Sequence, residues 1–187
     1  MKKISFINLT ILSTIFLFLS CSNDDTPAYI HDHEGIHEVI IQRTNLDGTD
    51  PIEYEFVEGN IMGDVITLTN GNTYNFEIIA LNAHEEDGDH NLIQETIEAV
   101  EEHFFLYSKS NDLAIDLERT DDATSTRNDG TKIGVKTRIT ANAVSSGNLQ
   151  FELKHQPTEV DDQANNNFGS SIGGATDLLA VFPVVVE

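Results

Sequence analysis

The residues Ile52-Glu53-Tyr54-Glu55-Phe56 alternate apolar and acidic without a break. In an extended strand this puts Ile52, Tyr54 and Phe56 on one face and both glutamates on the other. A helix would scatter the same residues around its axis, so the stretch demands β-structure with one buried face. The pattern recurs along the chain. Val39-Ile40-Ile41 is a strand nucleus, closed by a turn at Asn45-Leu46-Asp47-Gly48. Val65 to Thr69 is another strand, and Asn70-Gly71-Asn72 turns it into Thr73 to Leu81, with Tyr74, Phe76 and Ile78 on one side. His103 to Tyr107, Leu113 to Leu117 and Ile133 to Ile139 follow, and Ser146-Gly147-Asn148 reads as a turn into Leu149-Gln150-Phe151-Glu152-Leu153. Leu178 to Val186 is apolar enough for a central closing strand, although Pro183 has no N–H to give a ladder.

One segment reads as helix. Ile93, Ile97 and Val100 lie on one stripe, with Asn91 as the N-cap and Gln94 completing a capping box. About nine strands, frequent turns and one short helix predict an all-β fold: an antiparallel, immunoglobulin-like β-sandwich over residues 36–187, with a small barrel as the alternative. The expected core contains Ile52, Tyr54, Phe56, Tyr74, Phe76, Leu149, Phe151 and Leu153. The stretch from Gln156 to Asp177 is expected to be a long loop, either a partner-binding surface or disordered.

What precedes the domain argues for location. Lys2 and Lys3 lead an uncharged, mostly apolar run from Ile4 to Leu19, the pattern of a secretory signal over residues 1–20. The run is short for a membrane span. Leu19-Ser20-Cys21 resembles a bacterial lipobox, which predicts cleavage before Cys21 and acylation of its thiol, anchoring the chain in the lipid bilayer. Cys21 is the only cysteine, so no internal disulfide can form. Ser22-Asn23-Asp24-Asp25 resembles the surface-export signal of Bacteroidota lipoproteins. The expected location is the outer membrane, surface-exposed, with a periplasm-facing anchor as the alternative. Residues 21–35 are read as a polar tether.

From Cys21 onward about 167 residues carry 32 acidic side chains against eight basic ones, a net of −24. That length supports one domain with a real core. The charge opposes binding to nucleic acid or anionic lipid and favours cations. The chain has no Walker loop, no dinucleotide-binding glycine pattern after a strand and no Gly-x-Ser-x-Gly, and the expectation is a non-catalytic protein.

The histidines are the sharpest chemical signal. His31, His33 and His37 form one group, and they face one side if that segment is extended. His84 and His90 form a second, with His103 after the helix. Imidazole beside carboxylate suits zinc, with copper and nickel less selective. The two groups can meet at one end of the sheet, because the first lies just before the opening strand. The alternative is a solvated acidic tether and loop with incidental histidines. His155 continues the inward parity of Leu149, Phe151 and Leu153 and is expected to be a structural strand-end residue. Asp47-Gly48-Thr49-Asp50 and Asp129-Gly130 are read as ordinary turns, since neither has the ligand spacing of a calcium loop.

Several short motifs carry a resemblance: Thr73-Tyr74-Asn75-Phe76, Glu101-Glu102-His103-Phe104-Phe105, Asp129-Gly130-Thr131-Lys132-Ile133-Gly134, Leu153-Lys154-His155-Gln156-Pro157 and Gly173-Gly174-Ala175-Thr176-Asp177. Together they resemble a family of small flavobacterial lipoproteins, often labelled "type 1 periplasmic binding fold" and similar to accessory proteins beside TonB-dependent outer-membrane receptors. That label implies two α/β lobes, whereas the alternation here implies strands. The resemblance implies a TonB-dependent receptor as partner and brings no catalytic residues. Two functions follow as expectations. One is capture of a divalent metal ion, zinc first, for such a receptor. The other is a metal-free interaction module docking on a receptor or a surface polymer.

Overall fold

The computed structural model describes residues 35–85 and 88–187. In chain order the strands are β1 (Ile36–Asn45), β2 (Ile52–Val57), β3 (Ile66–Leu68), β4 (Thr73–Glu85), β5 (Gly88–Asn91), β6 (His103–Lys109), β7 (Ile115–Arg119), β8 (Lys136–Ala141), β9 (Ser145–His155), β10 (Glu159–Asp161), β11 (Ser170–Ile172) and β12 (Ala175–Val186). A short helix, α1 (Ile93–Glu98), links β5 to β6. The first sheet runs β2-β1-β4-β8-β7, with β5 also paired to β4. The second runs β3-β12-β9-β6, and β10-β11 form a small ribbon. The fold is all-β and antiparallel, apart from the parallel pairing of β3 with β12.

The two sheets bury a shared core. Tyr54, Phe56, Tyr74, Phe76, Leu149, Phe151 and Leu153 are all buried, as their alternation requires. Phe182 joins the sheets: its ring stacks on Phe151 at 5.6 Å and tilts against Phe56 at 6.3 Å. Ile52 departs from expectation and is 39% exposed. It has the inward parity, but it is the first residue of β2, paired with Arg43 near the end of β1, where no opposing side chain covers it fully.

Three further expectations are revised. Gly147 lies inside β9, and the reversal falls at 142–144. The glycine serves packing: a Cβ there would lie 2.0 Å from Ser110 Oγ. That hydroxyl accepts the Asn148 N–H at 2.9 Å. The helix is a single short segment with Leu92 at its N-cap, and Gln94 bonds to Glu98 rather than closing a capping box. Asn91 still serves the helix start, because its Oδ1 accepts from Ile93 N–H. The same oxygen accepts from Leu81 N–H while Nδ2 donates to Ile79 O. These bonds fall where β4 exchanges one neighbour for another, since β8 pairs it only to Glu77 and β5 begins at Asn82. One asparagine thus satisfies backbone groups that neither strand reaches. Finally, the segment after β9 is ordered. Asp161 pairs with Ser170 across the β10-β11 ribbon, and Asn165, Asn166 and Asn167 all take left-handed backbone angles that asparagine tolerates.

Pro183 fits a central strand for a local reason. The Val181 carbonyl points to the β3 side, where it accepts from Gly63 N–H. By two-residue alternation the Pro183 nitrogen faces the same side, just before β3 starts to pair at Val184. No ladder bond is lost there.

The open side of the sandwich, between edge strands β7 and β6, is closed by loops held on Arg119. Arg119 is 3% exposed. It donates to the carbonyls of Asn167 (3.1 Å), Lys132 (3.2 Å), Phe105 (2.7 Å) and Phe168 (3.0 Å). It also lies 4.6 Å over the Phe104 ring. Gly134 and Gly169 flank it with positive φ, and a Cβ on either would lie within 2.5 Å of a guanidinium nitrogen. Next along the chain, Asp121 accepts the backbone N–H groups of Gly134, Val135 and Lys136.

Candidate functional site

The histidine groups are best followed from the backbone outward. Along β1 and β4 the ladder pairs Ile36 with Ala83 and resumes with Glu38 opposite Asn82, so His37 is an inserted residue. Such a bulge re-aims side chains that strict alternation would send elsewhere. Ile36 and Ala83 are buried, whereas His84 is exposed on the other face of the sheet. The bulged His37 ring lies flat on the His84 ring, with centroids 3.6 Å apart and planes 5° from parallel. The neighbouring Glu38 carboxylate accepts from the Asn82 side-chain amide. His37 Nδ1 is buried and has no hydrogen-bond partner among the described residues.

His90 sits on β5 opposite Ala83, one register step from His84, whose partner is Asp89. Its Nε2 lies 2.9 Å from Glu95 Oε1 on α1. His103 is elsewhere. It opens β6 at 1% exposure, opposite His155 of β9. Its Nδ1 meets Ala99 O at 3.0 Å, and its ring stacks on His155 at 5.2 Å. His155 lies between two carboxylates, with Nε2 3.6 Å from Glu102 and Nδ1 3.9 Å from Asp177. A bond from Gln156 and the nearby His155 hold the Glu102 carboxyl below its ordinary pKa.

The second histidine group therefore divides. His84 and His90 stay at one end of the first sheet, joined there by His37 from the first group. His103 belongs with His155 in the second sheet. Cys21, His31 and His33 lie outside the described residues. Among the described residues, no group of three or more His, Cys, Asp or Glu side chains is arranged to hold a metal ion. No helix among them is long and apolar enough to cross a membrane.

The sequence reading held that the two histidine groups can meet at one sheet end, but it gave neither the pair that meets nor the Arg119 centre. The meeting of His37 with His84 depends on a bulge, which leaves no mark in a hydropathy pattern. The Arg119 centre did leave a signal, because Ile115, Leu117 and Arg119 share one parity and all three are buried. Comparison with protein-family models, with curated proteins and with solved structures finds no match to this chain.

Proposed function

We propose that this chain is an outer-membrane lipoprotein, anchored through acylated Cys21, that captures a divalent metal ion, zinc first, for a TonB-dependent receptor. The observation that carries the reading is the convergence of His37 and His84 from separate sequence groups onto one sheet end, with His37 Nδ1 left without a described partner. Zinc takes about four ligands, so these two rings need others. His31 and His33 stand six and four residues before His37 in the sequence and are the candidates for the remaining ligands. From Cys21 onward the net charge of −24 favours cations over anions.

Calorimetric titration with zinc, with calcium present to fill loose carboxylate sites, tests this. Binding is expected at neutral pH and is expected to fall as the pH drops, because only neutral imidazole ligates. Replacing His37 and His84 together by alanine should weaken it at least tenfold, while replacing His155 leaves it unchanged. No zinc-specific heat from the parent protein would refute metal capture. A metal-free interaction module that docks on a receptor or surface polymer is the second reading. It is favoured by the placement of His90 against Glu95 and of His103 inside the fold, where both rings serve structure.

A further inference from the structure

Two imidazoles stacked face to face cannot both ligate the same metal ion. The His37 and His84 rings are within 5° of parallel, and their centroids are 3.6 Å apart. Carbon atoms in contact stand about 3.5–4.0 Å apart, so nearly all of that distance separates the two ring planes. An imidazole nitrogen ligates through a lone pair in the plane of its ring, with zinc about 2.0–2.1 Å away. A zinc ion in the His37 plane would lie about 3.6 Å from the His84 plane, out of reach of both nitrogens there. An ion midway would stand about 1.8 Å out of each plane, where neither ring points a lone pair. Burial leads to the same result. His37 Nδ1 is a buried atom, so an ion arriving from solvent cannot touch it while the ring stays in place.

We propose that the His37–His84 stack is the closed, metal-free arrangement of the site, and that the His37 ring swings off His84 before both ligate one zinc ion. This swing rests on the zinc reading above and is the step by which that site would load. The backbone is not what moves. His37 O accepts from Glu58 N–H at 2.5 Å, and His84 N–H donates to Gly35 O at 3.4 Å, so the main chain pins both residues. The ladder resumes at once with Glu38 opposite Asn82, whose side chains also bond. The freedom lies in the His37 side chain, because an inserted residue has no register partner in β4 to hold it to one face. His84 is exposed, so its ring already meets solvent. The stack is a weak latch. An aromatic pair shifts an equilibrium by between about twofold and about tenfold. The closed state lowers zinc affinity by a similar factor, because only the open fraction offers both rings.

Nuclear magnetic resonance with and without zinc tests this. The chain is taken from Ser22, because the core lies wholly within the compact unit His33–Glu187. Without metal, cross-relaxation between the ring protons of His37 and His84 is expected. At saturating zinc it should vanish, and the ring protons of both residues should shift as each leaves the shielding face of the other. Stopped-flow mixing gives a second readout. The binding rate should rise with zinc concentration and then level off at the rate of opening. His84→Cys, under reducing conditions, keeps a zinc ligand and removes the ring on which His37 lies. This variant should bind zinc at a rate that no longer levels off. Circular dichroism confirms that it is folded, and if it is not, His84→Asp takes its place with the same expectation. Metal-free protein with no contact between the rings would overturn the latch and leave zinc capture standing. So would zinc-loaded protein in which the contact persists, or a rate that levels off equally in the variant. No zinc binding by the parent chain would refute the capture reading itself, and the latch with it.

Discussion

Replacing Arg119 by methionine isolates what its guanidinium does. Methionine keeps much of the aliphatic stem and removes every donor. Three carbonyls, from Asn167, Lys132 and Phe105, then lose the donor that the guanidinium supplies, while Phe168 O keeps the Tyr107 N–H at 2.9 Å. A buried polar group stripped of its partner costs about 1–3 kcal/mol. Carbonyls have two lone pairs and water can enter part of the space, so the lower end applies, and three groups give about 3 kcal/mol. Removing a charge from a buried site offsets some of this. Burial pulls the Arg119 pKa below its ordinary value, with Tyr107, Asp121 and Asp162 opposing the shift. Domains of this size are stable by about 5–15 kcal/mol, so the loss is a large fraction of the total. Urea unfolding followed by circular dichroism measures it, because the chain has no tryptophan to report by fluorescence. The midpoint should fall sharply with the slope unchanged. Arg119→Lys should recover only part, since one ammonium with three donors cannot reach four carbonyls. A methionine variant within about 1 kcal/mol of the parent would refute the idea that these bonds hold the edges together.

Gly169→Ala should cost more than about 2 kcal/mol, because its Cβ meets Arg119 at 2.5 Å in a backbone region that favours glycine; Gly130→Ala, with nothing within 4 Å, should cost only the backbone strain, and thermal melts compare the two. Acid should destabilise the fold. The Lys136 ammonium holds the Asp122 carboxyl far below its ordinary pKa, and Thr49 and Thr131 do the same more weakly for Asp47 and Asp129. Depressed carboxyls stabilise above the unfolded value near 3.8 and lose that contribution as pH falls through their folded values, so melting temperature should drop below about pH 4, and less steeply in Asp122→Asn. Cys21→Ala should abolish acylation, and a variant still labelled by fatty acid would sink the anchor reading.

Much of the core was legible because a strand has an exact period of two. Tyr54, Phe56, Tyr74 and Phe76 needed only that parity. Ile52 shows its limit, since parity gives the side of a strand and says nothing of whether the opposing layer extends that far. The turn expected at Gly147 reflects a second limit: a glycine that lets Ser110 approach looks, in sequence, like one that lets the chain reverse. His37 marks a third. A bulged residue leaves the strict alternation, so the side chain of His37 cannot be placed by counting back from Val39. Arg119 was overlooked because charge suggests solvent, although its parity pointed inward.

The position of β12 has a consequence for the order of events in folding. This strand is central in the second sheet, yet it comes after all the other described strands in chain order. Until it arrives, β3 has no partner in that sheet, and Phe151 and Phe56 lack the ring that stacks between the layers. A nascent or partly translocated chain can pair β1 with β2 and β4, and β6 with β9, but it cannot close its core. The pairing of β12 with β3 joins Val184 to Ile66, far apart in sequence, and forms slowly. The open intermediate would expose the apolar inner faces of both sheets for as long as the final twelve-residue strand is delayed. β12 thus acts as a timer, and a chaperone that holds the chain open would have to release it only after this strand has emerged.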